Sequence, residues 1–172
     1  MKEKFKNSIL NLPEVIKLLI IYLIIIVIIL SYIYFALEDD IEVFLIICLL
    51  LSSFYLLAFV IPVLSLYFNY LEKTKNIILI LENESIRIND KIIPIIEVIN
   101  INIIGTHQHF NLGHGGVSTL PYNDSFYYLK VKTNKNEYYL TSLLSYKLDS
   151  ILIEKYPNIK FVQNINSFPL IK

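Results

Sequence analysis

Two uncharged runs dominate the first 71 positions, and an alternating pattern replaces them afterwards. Residues 18–37, LLIIYLIIIVIILSYIYFAL, are 20 consecutive positions without a charge, and residues 43–71 are 29 more. A bilayer core of roughly 30 Å is crossed by about 20 apolar helical residues. The longer run spans with tilt or continues along the interface. Only EDDIE separates the two, so the pattern predicts a transmembrane helical hairpin over residues 13–71, after a short segment 1–12. Within that segment Phe5, Ile9 and Leu12 fall roughly on one helical face, which predicts a short interfacial helix before Pro13. The first run exceeds the h-region of a secretion signal, and no small-residue cleavage site follows it.

From residue 76 the hydrophobic period shortens to two. NIILIL (76–81) and SIRIND (85–90) read as strands, followed by KII and then Pro94. EVININII (97–104) is the clearest strand. Its Ile99, Ile101 and Ile103 alternate with Asn100 and Asn102, the pattern of a sheet buried on one face. FYYLKVKT (126–133) and EYYLT (137–141) flank the turn NKN. The period then becomes helical over 142–156, with Thr141 or Ser142 as cap, an apolar face of Leu144, Leu148, Ile151 and Leu152, and Pro157 as terminator. IKFV (159–162) reads as a short strand or an extended tail. The fold class is therefore α+β: a two-helix membrane hairpin, then a small antiparallel sheet or partial barrel with a C-terminal amphipathic helix, in a domain over 72–172.

Charge orients this arrangement. Lys2, Lys4, Lys6 and Lys17 precede the first run and Lys73 and Lys75 follow the second, while the turn holds Glu38, Asp39, Asp40 and Glu42. The positive-inside rule places both termini in the cytoplasm, with the chain in the inner (cytoplasmic) membrane. Tyr32, Tyr34, Tyr67 and Tyr70 suit interfacial positions. The runs contain no ionisable residue apart from tyrosines and Cys48, which argues against a transporter or an intramembrane enzyme. Ser31, Ser52, Ser53, Ser65 and Asn69 read as helix-packing residues, with Pro62 as a kink. Arg87 is the single arginine, so nucleic acid is not an expected partner.

The turn IND at 88–90, the segment IIPIIEVININI at 92–103, the hairpin YYLKVKTNKNEYYL at 127–140 and the helix at 142–156 carry a resemblance. In order and spacing they resemble the pleckstrin-homology-like (PH-like) domains of bacterial membrane-anchored proteins, over about half the chain. The resemblance implies an interaction or regulatory module and not an enzyme. Phosphoinositide-binding members carry basic residues around their first hairpin, where this chain has LENES with Glu82 and Glu84, so inositol phosphate recognition is not implied.

The chemistry-bearing residues concentrate in one place. All four glycines and all three histidines lie between Gly105 and Gly116. His107, His109 and His114 form an H-x-H-x4-H pattern. On a continuing strand, His107 and His109 would share a face and could hold one metal ion, with His114 and Asp124 as further ligands. The pattern lacks the helical companion motif of a zinc hydrolase. The favoured reading is a long connection, residues 105–125, in which Gly113, Gly115 and Gly116 shape a loop and His107, His109, Phe110 and His114 meet a protein partner. Lys130, Lys132 and Lys135 mark the outer face of the late hairpin, where contact with an anionic inner leaflet is expected. The functional expectation is thus a membrane-anchored, non-enzymatic module, without cofactor, that binds a protein partner or the inner leaflet. The alternatives are a metal-dependent site at the three histidines and a membrane-perturbing effector triggered through the cytosolic domain. Homo-oligomerisation is left open.

Overall fold

The structure is a computed structural model and describes residues 3–8, 11–36, 40–74, 77–110 and 123–172. Gly113, His114, Gly115 and Gly116 of the expected loop lie outside the described residues, as do Lys2, Glu38, Asp39 and Lys75.

The two apolar runs form helices. α1 covers Pro13–Ala36. α2 (Ile41–Tyr55), a π-helical turn (Leu56–Val60) and α3 (Ile61–Lys73) make one continuous rod. Asp40 caps α2 by accepting from the Val43 N–H at 3.4 Å. Both helices are long and apolar enough to cross a membrane, and none of their most apolar stretches is buried inside the molecule. The second rod has 33 residues, about 50 Å at 1.5 Å per residue, and so exceeds a bilayer core. Its lower end packs into the β domain through Val63, Leu66 and Tyr70.

The β domain holds two four-stranded sheets. The first orders β1 (Glu3–Lys6), β2 (Ile78–Leu81), β3 (Ser85–Ile88) and β4 (Lys91–Pro94), all antiparallel. The second orders β7 (Glu137–Thr141), β6 (Tyr128–Thr133), β5 (Val98–Gly105) and β8 (Phe161–Ile165), with β8 parallel to β5. α4 (Leu148–Lys155) seats Leu148 and Leu152 among Leu79, Ile86, Ile101 and Leu129, residues of both sheets.

β1 corrects the expectation of an interfacial helix. Glu-Lys-Phe-Lys alternates, its Phe5 packs against the core, and Lys6 pairs with Ile78 and Glu3 with Leu81. The helical hairpin is therefore inserted between two adjacent strands of one sheet. Three further differences are local. Residues 142–147 form turns, and the helix starts at Leu148. The register shifts between Val98 and Asn100, and this bulge turns Ile99 outward, 47% exposed, while Ile101 and Ile103 stay buried. The IKFV tail becomes β8, paired with β5 rather than extending the antiparallel order.

The β3–β4 turn at Asn89-Asp90 follows the sequence expectation. Asn89 adopts φ 54°, a left-handed value that asparagine tolerates, and its side chain accepts the Ile78 N–H at 2.7 Å.

Candidate functional site

β5 ends at Gly105, and residues 107–110 turn back rather than continuing the strand. The same-face argument for His107 and His109 therefore lapses. The Thr106 side-chain oxygen receives the His109 N–H at 3.2 Å, and the Thr106 hydroxyl donates to Asp124. This turn folds His109 over Gly105, where a Cβ would stand 2.8 Å from the His109 ring. The ring also stacks on Tyr127, with centroids 4.2 Å apart at 24°. Only glycine at 105 leaves room for that arrangement.

The histidine faces a carboxylate. His109 Nε2 lies 3.2 Å from Asp149 Oδ2, with side chains 11% and 18% exposed, although the contact is not an aligned hydrogen bond. The Tyr127 hydroxyl approaches the other carboxylate oxygen at 3.1 Å and receives the Asp149 N–H at 3.2 Å. Burial alone pushes the Asp149 carboxyl up. The His109 contact, together with hydrogen bonds from the Ser150 N–H and Tyr127, outweighs it and holds the group below the usual carboxylate value. Burial and the Asp149 charge raise the Tyr127 phenol well above its ordinary value. Tyr127, His109 and Asp149 thus join the 106–110 turn, the segment leading into β6 and the start of α4 in one polar node.

A cleft of about 200 Å³ opens beside this node, between Leu12, Pro13 and Glu14 at the start of α1 and His109, Asp124, Tyr127 and Tyr146 of the domain. It lies at the end of the sheets nearest the helices. There Tyr128, at the start of β6, meets Tyr70 of α3 with ring centroids 6.2 Å apart. Strand β6 then runs away from the helices to Thr133, which pairs with Val98.

The expected site residues separate accordingly. His109 and Phe110 pack inward, Phe110 against the main core. His107 is half-buried in the turn. Asp124 is held by Thr106. No group of three potential metal ligands forms among the described residues. Lys130 is bound to Glu137 at 2.6 Å and lies 5.8 Å from the Tyr139 ring centre. Lys132 and Lys135 are exposed at the far end of β6, about 13 Å beyond Tyr128 at the usual strand rise. The basic face therefore points away from the helix junction.

Sequence reasoning missed Tyr127, Asp149 and the junction itself. At that junction Asn7 donates to Thr74, Asn11 donates to the carbonyls of Leu143 at 2.6 Å and Leu144 at 3.0 Å, and the Ser8 N–H reaches Leu143 at 2.9 Å. Asn7 and Asn11 were the available signal, since short amide side chains commonly bond to nearby backbone. No protein-family model, curated protein or solved structure matches the chain.

Proposed function

We propose that this chain is a membrane-anchored, non-enzymatic regulatory module in which a cytoplasmic PH-like β domain binds a protein partner. One observation carries the reading: the helical hairpin leaves the domain after β1 and returns before β2, two neighbours in the same sheet. A hairpin so inserted ties the position of its helices to the state of the sheet. An anchor joined to a domain by a flexible tether would not do this.

Two features support the remaining parts. Lys4, Lys6, Lys17 and Lys73 stand at the domain end of the hairpin, whereas Asp40 and Glu42 stand at its turn, the charge bias of a cytoplasmic domain. At the corner linking the two sheets, Ile96 is 94% exposed and Ile99 47%. Both lie at the end of β5 away from the helices, where an incoming protein has free approach. Leaflet contact by Lys132 and Lys135 is the weaker reading, because they share that distal end. The metal reading is weaker still, with His109 and Asp124 already engaged.

The test uses the full-length protein purified in mild detergent, with bound proteins identified by mass spectrometry. A stoichiometric partner retained by wild type and by Lys132→Ala, but lost in Ile96→Asp, is the expected outcome. Equal recovery in all three would remove the distal corner as the contact, and no partner at any salt concentration would defeat the reading.

A further inference from the structure

The chain after β8 adds no strand, yet it is tied down at residues 166, 167, 169 and 171. The Asn166 N–H donates to the Gly105 carbonyl at 2.8 Å, and the Asn123 amide donates to Ser167 at 3.1 Å. The Tyr70 hydroxyl donates to the Pro169 carbonyl at 2.8 Å. Asn69 then holds both backbone groups of one residue, donating to the Ile171 carbonyl at 3.1 Å and accepting the Ile171 N–H at 2.9 Å. The Ile171 side chain is 2% exposed and enters a second core with Leu12, Val15, Val63, Leu66 and Phe126. This small core is distinct from the cluster between the sheets and α4. It contains residues from both membrane helices.

We propose that residues 166–172 form a releasable strap that sets how tightly α3 is held against the β domain. The strap adds a regulatory element to the module proposed above. Apart from the Asn166 N–H bond to Gly105, which continues the β5–β8 pairing, its anchors are side-chain bonds to backbone and the burial of Ile171 with Phe168 and Leu170 packed beside it. Detaching residues 167–172 therefore leaves both sheets hydrogen-bonded. On α3 the consequence is concentrated, because Asn69 and Tyr70 lose their partners together and Val63 and Leu66 lose Ile171.

α3 is also placed to respond. It follows the π-helical turn at Leu56–Val60, a widened turn of the kind that marks functional irregularity in a helix. Its lower end remains tethered where Asn7 donates to Thr74. Between those two points the strap supplies the hydrogen bonds from the tail to α3. With the strap seated, a change in the sheets reaches the helices through this contact. With it released, α3 keeps its packing on Phe126 and Tyr128 through Tyr70 but loses every hydrogen bond to the tail and the burial of Ile171 beside it.

Hydrogen–deuterium exchange of the full-length protein in lipid nanodiscs tests this directly, and its outcome does not depend on whether any partner is found. Two variants are compared with wild type: one lacking residues 169–172, and Asn69→Ala with the tail intact. The expected result for both is a rise of about tenfold or more in exchange over residues 63–74, with protection kept over 98–104 and 128–141, as for a local opening. The proposal stands only if both variants behave so. Unchanged exchange in α3 overturns it by showing that the tail does not hold the helix. An equal rise in the strands overturns it too, because the tail would then belong to the general core.

Discussion

At the scale of the residue, the informative contacts centre on His109. The hydroxyl of Tyr127 is the group that serves Asp149 as both neighbour and acceptor, inside a side chain that is 1% exposed. Tyr127→Phe keeps the stacked ring but leaves the Asp149 N–H without its partner, so it should cost about 1–2 kcal/mol in unfolding measured in detergent. His107→Ala, in the same turn, should fall within about 0.5 kcal/mol of wild type. Comparable losses from both would show that the node has no special weight. The node also has an acid signature. Asp149 is held below its usual value in the folded state, so the ionised carboxylate contributes stability that is fully present above about pH 4. That contribution is lost as pH falls through the lower, folded value. Asp149→Asn should therefore flatten the decline of thermal stability below pH 4 while lowering stability at neutral pH. An unchanged acid limb would mean that other carboxylates set it.

The glycine that admits His109 is itself open to test. A Cβ at Gly105 would stand 2.8 Å from the His109 ring, which is also stacked on Tyr127. Gly105→Ala should cost about 1–3 kcal/mol through this overpacking, and His109→Ala in the same chain should recover part of it. No recovery would place the strain elsewhere.

At the scale of the element, β1 decides how the molecule is assembled. Removing Phe5 from the core should cost about 2–4 kcal/mol as Phe5→Ala, measured by unfolding of the β domain, even though the hairpin stands between Phe5 and the strand it joins. A change below about 0.5 kcal/mol would mean that β1 is an ornament on an otherwise closed sheet. This strand also shows where sequence reading ran out. The two helices were legible because uninterrupted apolar length is a local property. Strands β2, β3, β5, β6 and β7 were legible because their alternation and their turns at Asn89 and 134–136 are local as well. β1 has four residues, too few for a period, and its partner lies more than 70 positions away. β8 is likewise specified by a non-local, parallel pairing. The helix start was misplaced because Leu143 and Leu144 are buried in different cores, so their apolarity reported burial in a turn rather than a helical face. For the site, the position of His109 was not legible from spacing. The inward turn of His109 depends on Gly105 and on Tyr127, a contact between segments that no spacing rule connects.

At the scale of the whole molecule, pairing of β1 with β2 constrains topology independently of charge. The segments before α1 and after α3 sit side by side in one sheet, so Lys4 and Lys172 must face the same compartment if the hairpin spans a bilayer. The turn near Glu42 must then face the other. This can be read with single cysteines in a Cys48→Ser background and a membrane-impermeant maleimide. Glu42→Cys, at an exposed position in the first turn of α2, should label when reagent is added to intact cells. Lys4→Cys and Lys172→Cys should label only after permeabilisation. Labelling of Lys4→Cys and Lys172→Cys on opposite sides is incompatible with the sheet itself, since antiparallel neighbours cannot be separated by a membrane. Labelling of Glu42→Cys only after permeabilisation, together with the other two, would keep the sheet but remove the span. Shared exposure of the two ends outside, with Glu42→Cys inside, would keep both and reverse the orientation that the lysine and carboxylate bias implies. Each outcome thus isolates one physical assumption: strand pairing, apolar length or flanking charge.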